Sequence, residues 1–268
     1  MPSQNTEISV PCMECKDMGV LPDTIYYPFC GLVGPKYCDC KAGEGAFREW
    51  CRSAAVCHAL QEKRRVEIKR AMEFSQIPKH WWKKTMLSFE GQEEIKLAVN
   101  RYLDCFQKMQ EAGCGMYLWS EGSGRGKTHL LSAVCQEIIR RYAVSCIFMT
   151  EEHIFRKIRE SFDDPGIGEE ARIRQFLTIP CLFIDDFGAT KTTAWKNEMM
   201  TAILDYRLNH ALPTFFTSNF SLPSYESSLQ SSSVARPGRI TSRIYEMCRG
   251  FILEVKGEDF RRKLATPL

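Results

Sequence analysis

Long apolar runs are missing from this chain. No window approaches 18 uninterrupted apolar residues, so no transmembrane helix is expected. The start, Met1 to Val10, is polar and lacks a basic-then-apolar signal pattern, so the chain is expected to stay in the cytoplasm. There is little charge imbalance. Thirty-six Lys and Arg against 33 Asp and Glu leave +3, too little to mark a nucleic-acid binder by charge alone. No internal repeat is visible. What is present is a 268-residue sequence, 44% hydrophobic and 26% charged, enough for one globular domain with a small attachment. That composition excludes collagen, a mostly disordered tail and a disulfide-stapled mini-protein. Thirteen cysteines without an export signal are expected to be buried thiols or metal ligands in a reducing cytoplasm.

Three zones differ in composition. Residues 1–43 carry Cys12, Cys15, Cys30, Cys38 and Cys40, several glycines and no helical period. Residues 44–76 have no Gly after Gly45 and no Pro, and are expected to form one linker helix. Phe47, Trp50, Cys51, Ala54 and Ala55 can face a partner, whereas Gln61 to Arg70 is charged nearly all round, as in a solvated bridge between domains. Glu44 to Lys84 holds ten Lys and Arg against five Asp and Glu, a local +5 that leaves −2 elsewhere. From Ile77-Pro78, residues 77–268 alternate strands and helices, the pattern of an α/β sheet. Strands are expected over 115–120, 144–149, 181–184, 214–217 and 251–255. Helices are expected over 128–142, 151–162, 195–208 and 240–249, and a mobile Ser-rich connection over 221–238.

The strongest local signal is Glu121-Gly-Ser-Gly-Arg-Gly-Lys-Thr128, set between an expected strand and an expected helix. Gly124 and Gly126 let the backbone curl so that N–H groups point at phosphate oxygens. The following helix adds its positive end. Lys127 can reach the β- and γ-phosphates, and the Thr128 hydroxyl can ligate Mg²⁺. Gly122, Ser123, Gly124, Arg125, Gly126, Lys127, Thr128 and His129 are the expected contacts to ATP or ADP. The motif usually opens with Gly. Glu121 stands there instead, a carboxylate close to the triphosphate unless it turns away.

Phe183-Ile184-Asp185-Asp186 ends a buried strand in two acids. Asp185 suits the Mg²⁺ and Asp186 the attacking water. The alternative is an acidic turn after a strand. Asn219 ends Thr217-Ser218-Asn219, where an amide can hold the lytic water or γ-phosphate. The alternative there is a strand-terminating turn.

This constellation resembles the AAA+ ATPases of the DnaC/DnaI-type helicase-loader family, with IstB-type transposition ATPases as relatives. The resemblance runs from about Ile77 to Arg262. It rests on Gly126-Lys-Thr-His-Leu130, Phe183-Ile-Asp-Asp-Phe-Gly188, Ile203-Leu-Asp-Tyr-Arg207, Leu212-Pro-Thr-Phe-Phe-Thr-Ser-Asn219 and Gly238-Arg-Ile-Thr-Ser-Arg243. The Leu212 to Asn219 run is the most family-specific. The resemblance implies an αβα AAA+ core with a parallel sheet, Arg243 as an arginine finger acting on a neighbouring subunit's nucleotide, and Arg261 as a sensor contacting its own. Arg239 is a weaker member of the same group, and a solvated surface role is the alternative for each arginine. With seven residues after Arg261, neither a helical lid nor the initiator type's C-terminal DNA-binding domain is expected.

Cys12-Met-Glu-Cys15 and Cys38-Asp-Cys40 are two short-spaced thiol pairs near Gly or Pro, suited to a tetrahedral structural Zn²⁺ in a small N-terminal domain. Residues 1–43 have few large apolar side chains, so a metal would supply the missing stability. Cys30 competes as a ligand, Cys51, Cys57 and His58 are further alternatives, and free thiols in a loop-rich arm are the bland reading. By analogy with loaders, this domain would engage a DnaB-type replicative helicase hexamer. On the 151–162 helix, Phe155, Arg156, Lys157 and Arg159 offer a stacking platform and charge for single-stranded DNA. The alternative is an amphipathic packing helix with Phe155 in the core. The expected function is ATP-dependent loading of the helicase onto single-stranded DNA, with subunits assembling side by side. The rivals are an IstB-like transposition ATPase and a nucleotide-dependent binding module with little hydrolysis.

Overall fold

The computed structural model describes residues 12–16, 18–90, 92–160, 169–230 and 238–260. The chain divides into two compact units, Met1–Lys69 and Arg70–Leu268.

The first unit is built on an antiparallel hairpin, β1 (Val20–Tyr27) and β2 (Leu32–Tyr37), paired from Val20↔Tyr37 to Tyr27↔Leu32. Helix α1 (Lys41–Cys51) follows, with the Cys40 sulfur accepting the Gly43 N–H at its start. Gly43 has no alternative, because a Cβ there would sit 1.8 Å from the Cys38 carbonyl oxygen. Tyr27, Phe29, Tyr37, Phe47 and Trp50 form one aromatic cluster, with Tyr27 and Trp50 centroids 4.6 Å apart. The first unit, in which few large apolar side chains and a metal-held domain were expected over residues 1–43, is therefore a hairpin and helix with a cluster of rings, which are large per residue and compensate for a short aliphatic count.

The single linker helix expected over 44–76 is two helices. Helix α1 stops at Arg52, and α2 (Ala54–Phe74) begins after Ser53, whose hydroxyl accepts the Val56 N–H at 3.4 Å. A serine N-cap interrupts a stretch that composition alone reads as continuous. The charged Gln61–Arg70 part of α2 is exposed apart from a half-buried Ile68, as its lack of an apolar stripe predicts.

In the second unit, α3 (Glu93–Asp104) and α4 (Phe106–Glu111) precede β3 (Met116–Trp119). Then come α5 (Lys127–Tyr142), β4 (Cys146–Thr150), α6 (Glu151–Glu160) and α7 (Glu169–Thr178). They are followed by β5 (Cys181–Phe187), α8 (Ala194–Asn209), β6 (Thr214–Ser218), α9 (Leu222–Gln230), α10 (Gly238–Met247) and β7 (Ile252–Glu254). The five strands form a parallel sheet in the order β4-β5-β6-β3-β7. Helices cover both faces, so central strands are buried on both sides. Phe183 and Phe215 stack on neighbouring strands at 4.2 Å. Because the sheet is parallel, Trp119, Thr150, Asp185 and Ser218 come out at one edge, the carboxyl edge where ligands of such sheets bind.

The Ser-rich stretch expected to be mobile contains α9. Ser221 starts it by accepting the Ser224 N–H at 3.3 Å, and Leu222, Tyr225 and Leu229 are buried. A stripe of three apolar side chains outweighs the serines. Residues 161–168 and 231–237, at the edges of two expected elements, lie outside the described residues. Among the described residues no helix is long and apolar enough to cross a membrane.

Candidate nucleotide-binding site

The loop between β3 and α5 is where the sequence places phosphate-binding chemistry. Its three glycines all adopt left-handed φ: Gly122 at 95°, Gly124 at 78° and Gly126 at 89°. At Gly124 the requirement is steric as well, since a Cβ would lie 1.7 Å from Asp259 Oδ1. Lys127 is 6% exposed. Its Nζ donates to Ser120 Oγ at 2.7 Å, to the Gly122 carbonyl at 2.8 Å and to Asn219 Oδ1 at 2.9 Å. Asn219 therefore faces the loop lysine. The turn-forming part falls to Ser218, whose hydroxyl donates to the Phe187 carbonyl and accepts the Phe220 N–H.

Asp185 ends the register of β5 beside Thr150. Its Oδ1 accepts from Thr128 Oγ1 at 3.0 Å and from Thr217 Oγ1 at 2.5 Å. Thr217 in turn accepts the Asp186 N–H at 2.9 Å. Asp186 has φ 53°, where the β5–β6 register shifts between Ile184 and Phe187. This kink turns two consecutive acids to different surroundings: Asp185 buried, Asp186 exposed on the cavity wall. Thr217 is a residue that motif reading passed over. Its only signal was its place one strand over from the acids.

Burial pushes the Asp185 carboxyl up to about 6, and the Asp186 charge adds to this, against the hydrogen bonds from Thr217 and Thr128. A second buried acid, Glu151 at the start of α6, accepts the Gly188 N–H at 3.1 Å. Burial lifts it to about 7, with the Gly188 amide and Lys196 opposing. Both folded-state values are raised, so both acids favour the folded state at low pH. That contribution is full below the unfolded value, 4.5 for Glu151, and is lost as pH rises through about 7. Glu151→Gln keeps an acceptor for Gly188 and removes the titration. It is expected to raise stability by about 1–3 kcal/mol at pH 8 and very little at pH 4, as read from thermal melts across pH.

A cavity of about 660 Å³ opens over the loop. Ser123, Gly124, Arg125, Gly126, Lys127, Thr128, His129, Asp186 and Asn219 line it. Trp81, Phe89 and Phe260 supply aromatic walls that the motif did not announce. His129 Nε2 lies 3.0 Å from the Thr85 carbonyl and 3.2 Å from Ser88 Oγ, and burial lowers its pKa. Glu121 is exposed and is not among the cavity-lining residues. Thr128 Oγ1 and Asp185 Oδ1 are 3.0 Å apart, the separation of two adjacent ligands of an octahedral ion with bonds of about 2.1 Å. The oxygens therefore fit Mg²⁺.

Arg243 does not line this cavity. Its Nε donates to Asp205 Oδ1 at 2.6 Å, and Arg239 Nη2 donates to Asp205 Oδ2 at 2.6 Å. Arg261 lies outside the described residues. Phe155 is 3% exposed and packs against Trp195 at 5.7 Å, so it cannot stack on a base, and the packing-helix alternative holds for it. Arg156 and Arg159 stay exposed, Arg159 over the Trp195 ring at 4.8 Å, while Lys157 bonds Gln76.

In the first unit, the sulfurs of Cys12, Cys15, Cys38 and Cys40 all lie within 4.8 Å of one another. Cys12–Cys38 and Cys15–Cys40 are 3.5 Å apart. A tetrahedral ZnS₄ centre has edges of about 3.8 Å, so the four thiols fit Zn²⁺. Backbone N–H groups of Cys15 and Glu14 bring Cys12 down to about 7, whereas burial pushes Cys15 up, and against the backbone N–H of Cys40, burial with the neighbouring thiols pushes Cys38 up. Cys30 instead lies 3.7 Å from the Tyr27 carbonyl, and it, Cys51, Cys57 and His58 are not part of the four-sulfur group.

The sequence of the IstB-like ATP binding protein family matches residues 58–266, most of the chain. The chain belongs to that family. The phosphate loop, both acids, Asn219, Arg239 and Arg243 fall inside the matched span, and the four clustered cysteines precede it. Among curated relatives, the replicative helicase loader DnaI of Bacillus subtilis is 33% identical over 130 residues, covering 47% of this chain and 40% of that protein. The phage-like element PBSX protein XkdC of the same organism is 26% identical over 97% of this chain and 87% of its own length. The crystal structure of the DnaC helicase loader superposes with TM-score 0.55 at 25% identity, over 67% of this chain and all of that one. The chain thus spans well under two thirds of the DnaI sequence it matches. The likeness to DnaC/DnaI-type loaders, with IstB as a relative, stands on these matches, and the IstB-like family is one of ATP-binding proteins.

Proposed function

We propose that this chain is an ATP-hydrolysing loader that places a DnaB-type replicative helicase hexamer onto single-stranded DNA in the cytoplasm. One observation carries the reading: Lys127, Thr128, Asp185, Asp186 and Asn219 converge at the carboxyl edge of one parallel sheet, in a chain similar to DnaI.

The curled amides of Ser123 to Thr128 and the start of α5 hold the phosphates, and Lys127 moves its Nζ from Asn219 and Gly122 onto β- and γ-oxygens. Thr128 and Asp185 hold Mg²⁺, which when bound neutralises charge on the phosphates. Asp186, exposed on the cavity wall, takes the proton of the attacking water, and the Asn219 amide, released from Lys127, orients that water. Arg243 of a neighbouring subunit stabilises the transferring phosphoryl group, so turnover needs side-by-side assembly. Arg261 contacts the phosphates of its own subunit. Trp81, Phe89 and Phe260 take the base. Cys12, Cys15, Cys38 and Cys40 hold a structural Zn²⁺ in the domain that grips the helicase. Arg156 and Arg159 remain available to a DNA backbone.

The test is a pull-down with metal analysis and ATP turnover on one preparation. Recovery of a replicative helicase, about one zinc per chain, and hydrolysis that rises with helicase and single-stranded DNA are expected. Arg243→Ala should lower the stimulated rate by about 10³ while ATP still binds. Recovery of a transposase with duplex-dependent turnover would replace this reading with the IstB-like one. Tight ATP binding without phosphate release would replace it with a binding module.

A further inference from the structure

Two arginines one turn apart on α10 share a single carboxylate on α8. Arg239 and Arg243 stand at i and i+4, on one face of the helix, while Ile240, Ile244 and Met247 bury another. Asp205 takes one guanidinium on each oxygen, at 2.6 Å and 2.6 Å. Its backbone is fixed from both sides, between buried Leu204 and fully buried Arg207. Partial burial works against ionisation of Asp205, but the hydrogen bonds from Arg243 and Arg239 outweigh it and hold its pKa below the ordinary value.

The way Arg243 is held matters. Asp205 engages it through Nε, the side edge of the guanidinium. The terminal Nη groups donate to no acceptor among the described residues, and the Arg243 side chain keeps 31% exposure. A carboxylate that locked the arginine away would occupy the terminal fork, the end that matches phosphate oxygens. Edge-on binding fixes the plane of the group and leaves that fork outward. One carboxylate against two guanidiniums also leaves the trio with a net positive charge. A partly exposed ion pair adds little to folding stability, so stability does not explain a carboxylate gripped twice at 2.6 Å.

We propose that Asp205 is a positioning residue that presents the Arg243 fork to an anionic oxygen held by a second copy of this chain, the triphosphate bound in the neighbour's cavity. This rests on the reading of Arg243 as a residue acting between subunits. Asp205 acts through Arg243, and Arg239 anchors the second carboxylate oxygen so that Asp205 itself cannot swing.

Subunit mixing tests it. Full-length Asp205→Asn should melt within a few degrees of the parent and bind a fluorescent ATP analogue with unchanged affinity. Its stimulated turnover should fall at least tenfold, and Asp205→Glu should recover part of the loss. Mixed with Lys127→Ala subunits, which cannot hold ATP but carry an intact clamp, Asp205→Asn should regain turnover several-fold above the sum of the two alone. Turnover at or above the parent's in Asp205→Asn would overturn the proposal, as a lock released. So would a loss that mixing does not restore, or a loss of ATP affinity in step with turnover. Arg243→Ala run in parallel separates the two ideas. If Arg243→Ala alone keeps full turnover, the between-subunit reading fails. If it loses turnover and recovers on mixing while Asp205→Asn is unaffected, only the Asp205 proposal fails.

Discussion

Lys127→Ala is expected to lower ATP affinity by about 10²–10³ and to bring hydrolysis to background. The ammonium is nearly buried and already desolvated, held by two neutral side-chain oxygens and one carbonyl. Exchanging those neutral acceptors for anionic phosphate oxygens therefore strengthens the bonds without a fresh desolvation cost for the ammonium. Such bonds contribute roughly 1.5–3 kcal/mol each, and losing two near the lower end, about 3–4 kcal/mol together, corresponds to the stated range at about 1.4 kcal/mol per factor of ten. Arg cannot substitute, because its planar fork does not fit where Ser120, Gly122 and Asn219 surround a compact ammonium. Equilibrium titration with a fluorescent analogue, with a thermal melt as control, measures the effect. Affinity within threefold of the parent in a folded Lys127→Ala would mean the nucleotide sits elsewhere.

Arg207→Met is expected to cost about 3–5 kcal/mol of stability. Arg207 is 0% exposed. Its guanidinium donates to Thr214 Oγ1 at 2.8 Å and to the carbonyls of Phe176, Leu177, Ile179, Pro180 and Pro213 at 2.7–3.4 Å. Phe176 and Leu177 lie in the last turn of α7, where carbonyls lack helical partners and a cation is favoured. One side chain therefore closes the end of α7, the lead into β5, which carries Asp185, and the lead into β6, which Asn219 directly follows. Burial draws its pKa down to about 9, which still leaves it charged at neutral pH. Methionine fills similar space but leaves the carbonyls buried and unsatisfied. At roughly 2–4 °C per kcal/mol for a unit of this size, the melting temperature should fall by about 10 °C or more. Arg207→Lys should recover only part of this, since three donors on a point cannot serve six acceptors. A melt within two degrees of the parent would show that water or a shift of α7 satisfies those carbonyls.

The phosphate loop was legible because its chemistry is local. Glycines that must curl, a lysine and a hydroxyl at the start of a helix are neighbours in sequence as they are in space. The paired acids were legible for a similar reason, as they end an apolar run. The parallel sheet followed from alternating periods. The hairpin of the first unit was missed because its stabilising contacts are rings drawn together from both strands and from α1. Helix α9 was missed because its serines face outward and conceal a buried stripe. The break at Ser53 turned on one capping hydroxyl within a stretch of uniform composition. Phe155 looked available for stacking until Trp195, forty residues away in sequence, was seen to cover it.

Sequence alone pointed to the groups suited to a triphosphate and to two short-spaced cysteine pairs, because motif chemistry is written in short spacings, while the structure drew Cys12, Cys15, Cys38 and Cys40 together and left Cys30 out. Tertiary structure alone decided that Thr217 ties the two acids together, that Glu121 is exposed outside the cavity lining, that Glu151 and Asp185 hold their protons to higher pH, and that Asp205 grips two arginines. These depend on what lies beside a group after strands and helices distant in the chain have packed. Burial and hydrogen-bond partners, not residue type, set them.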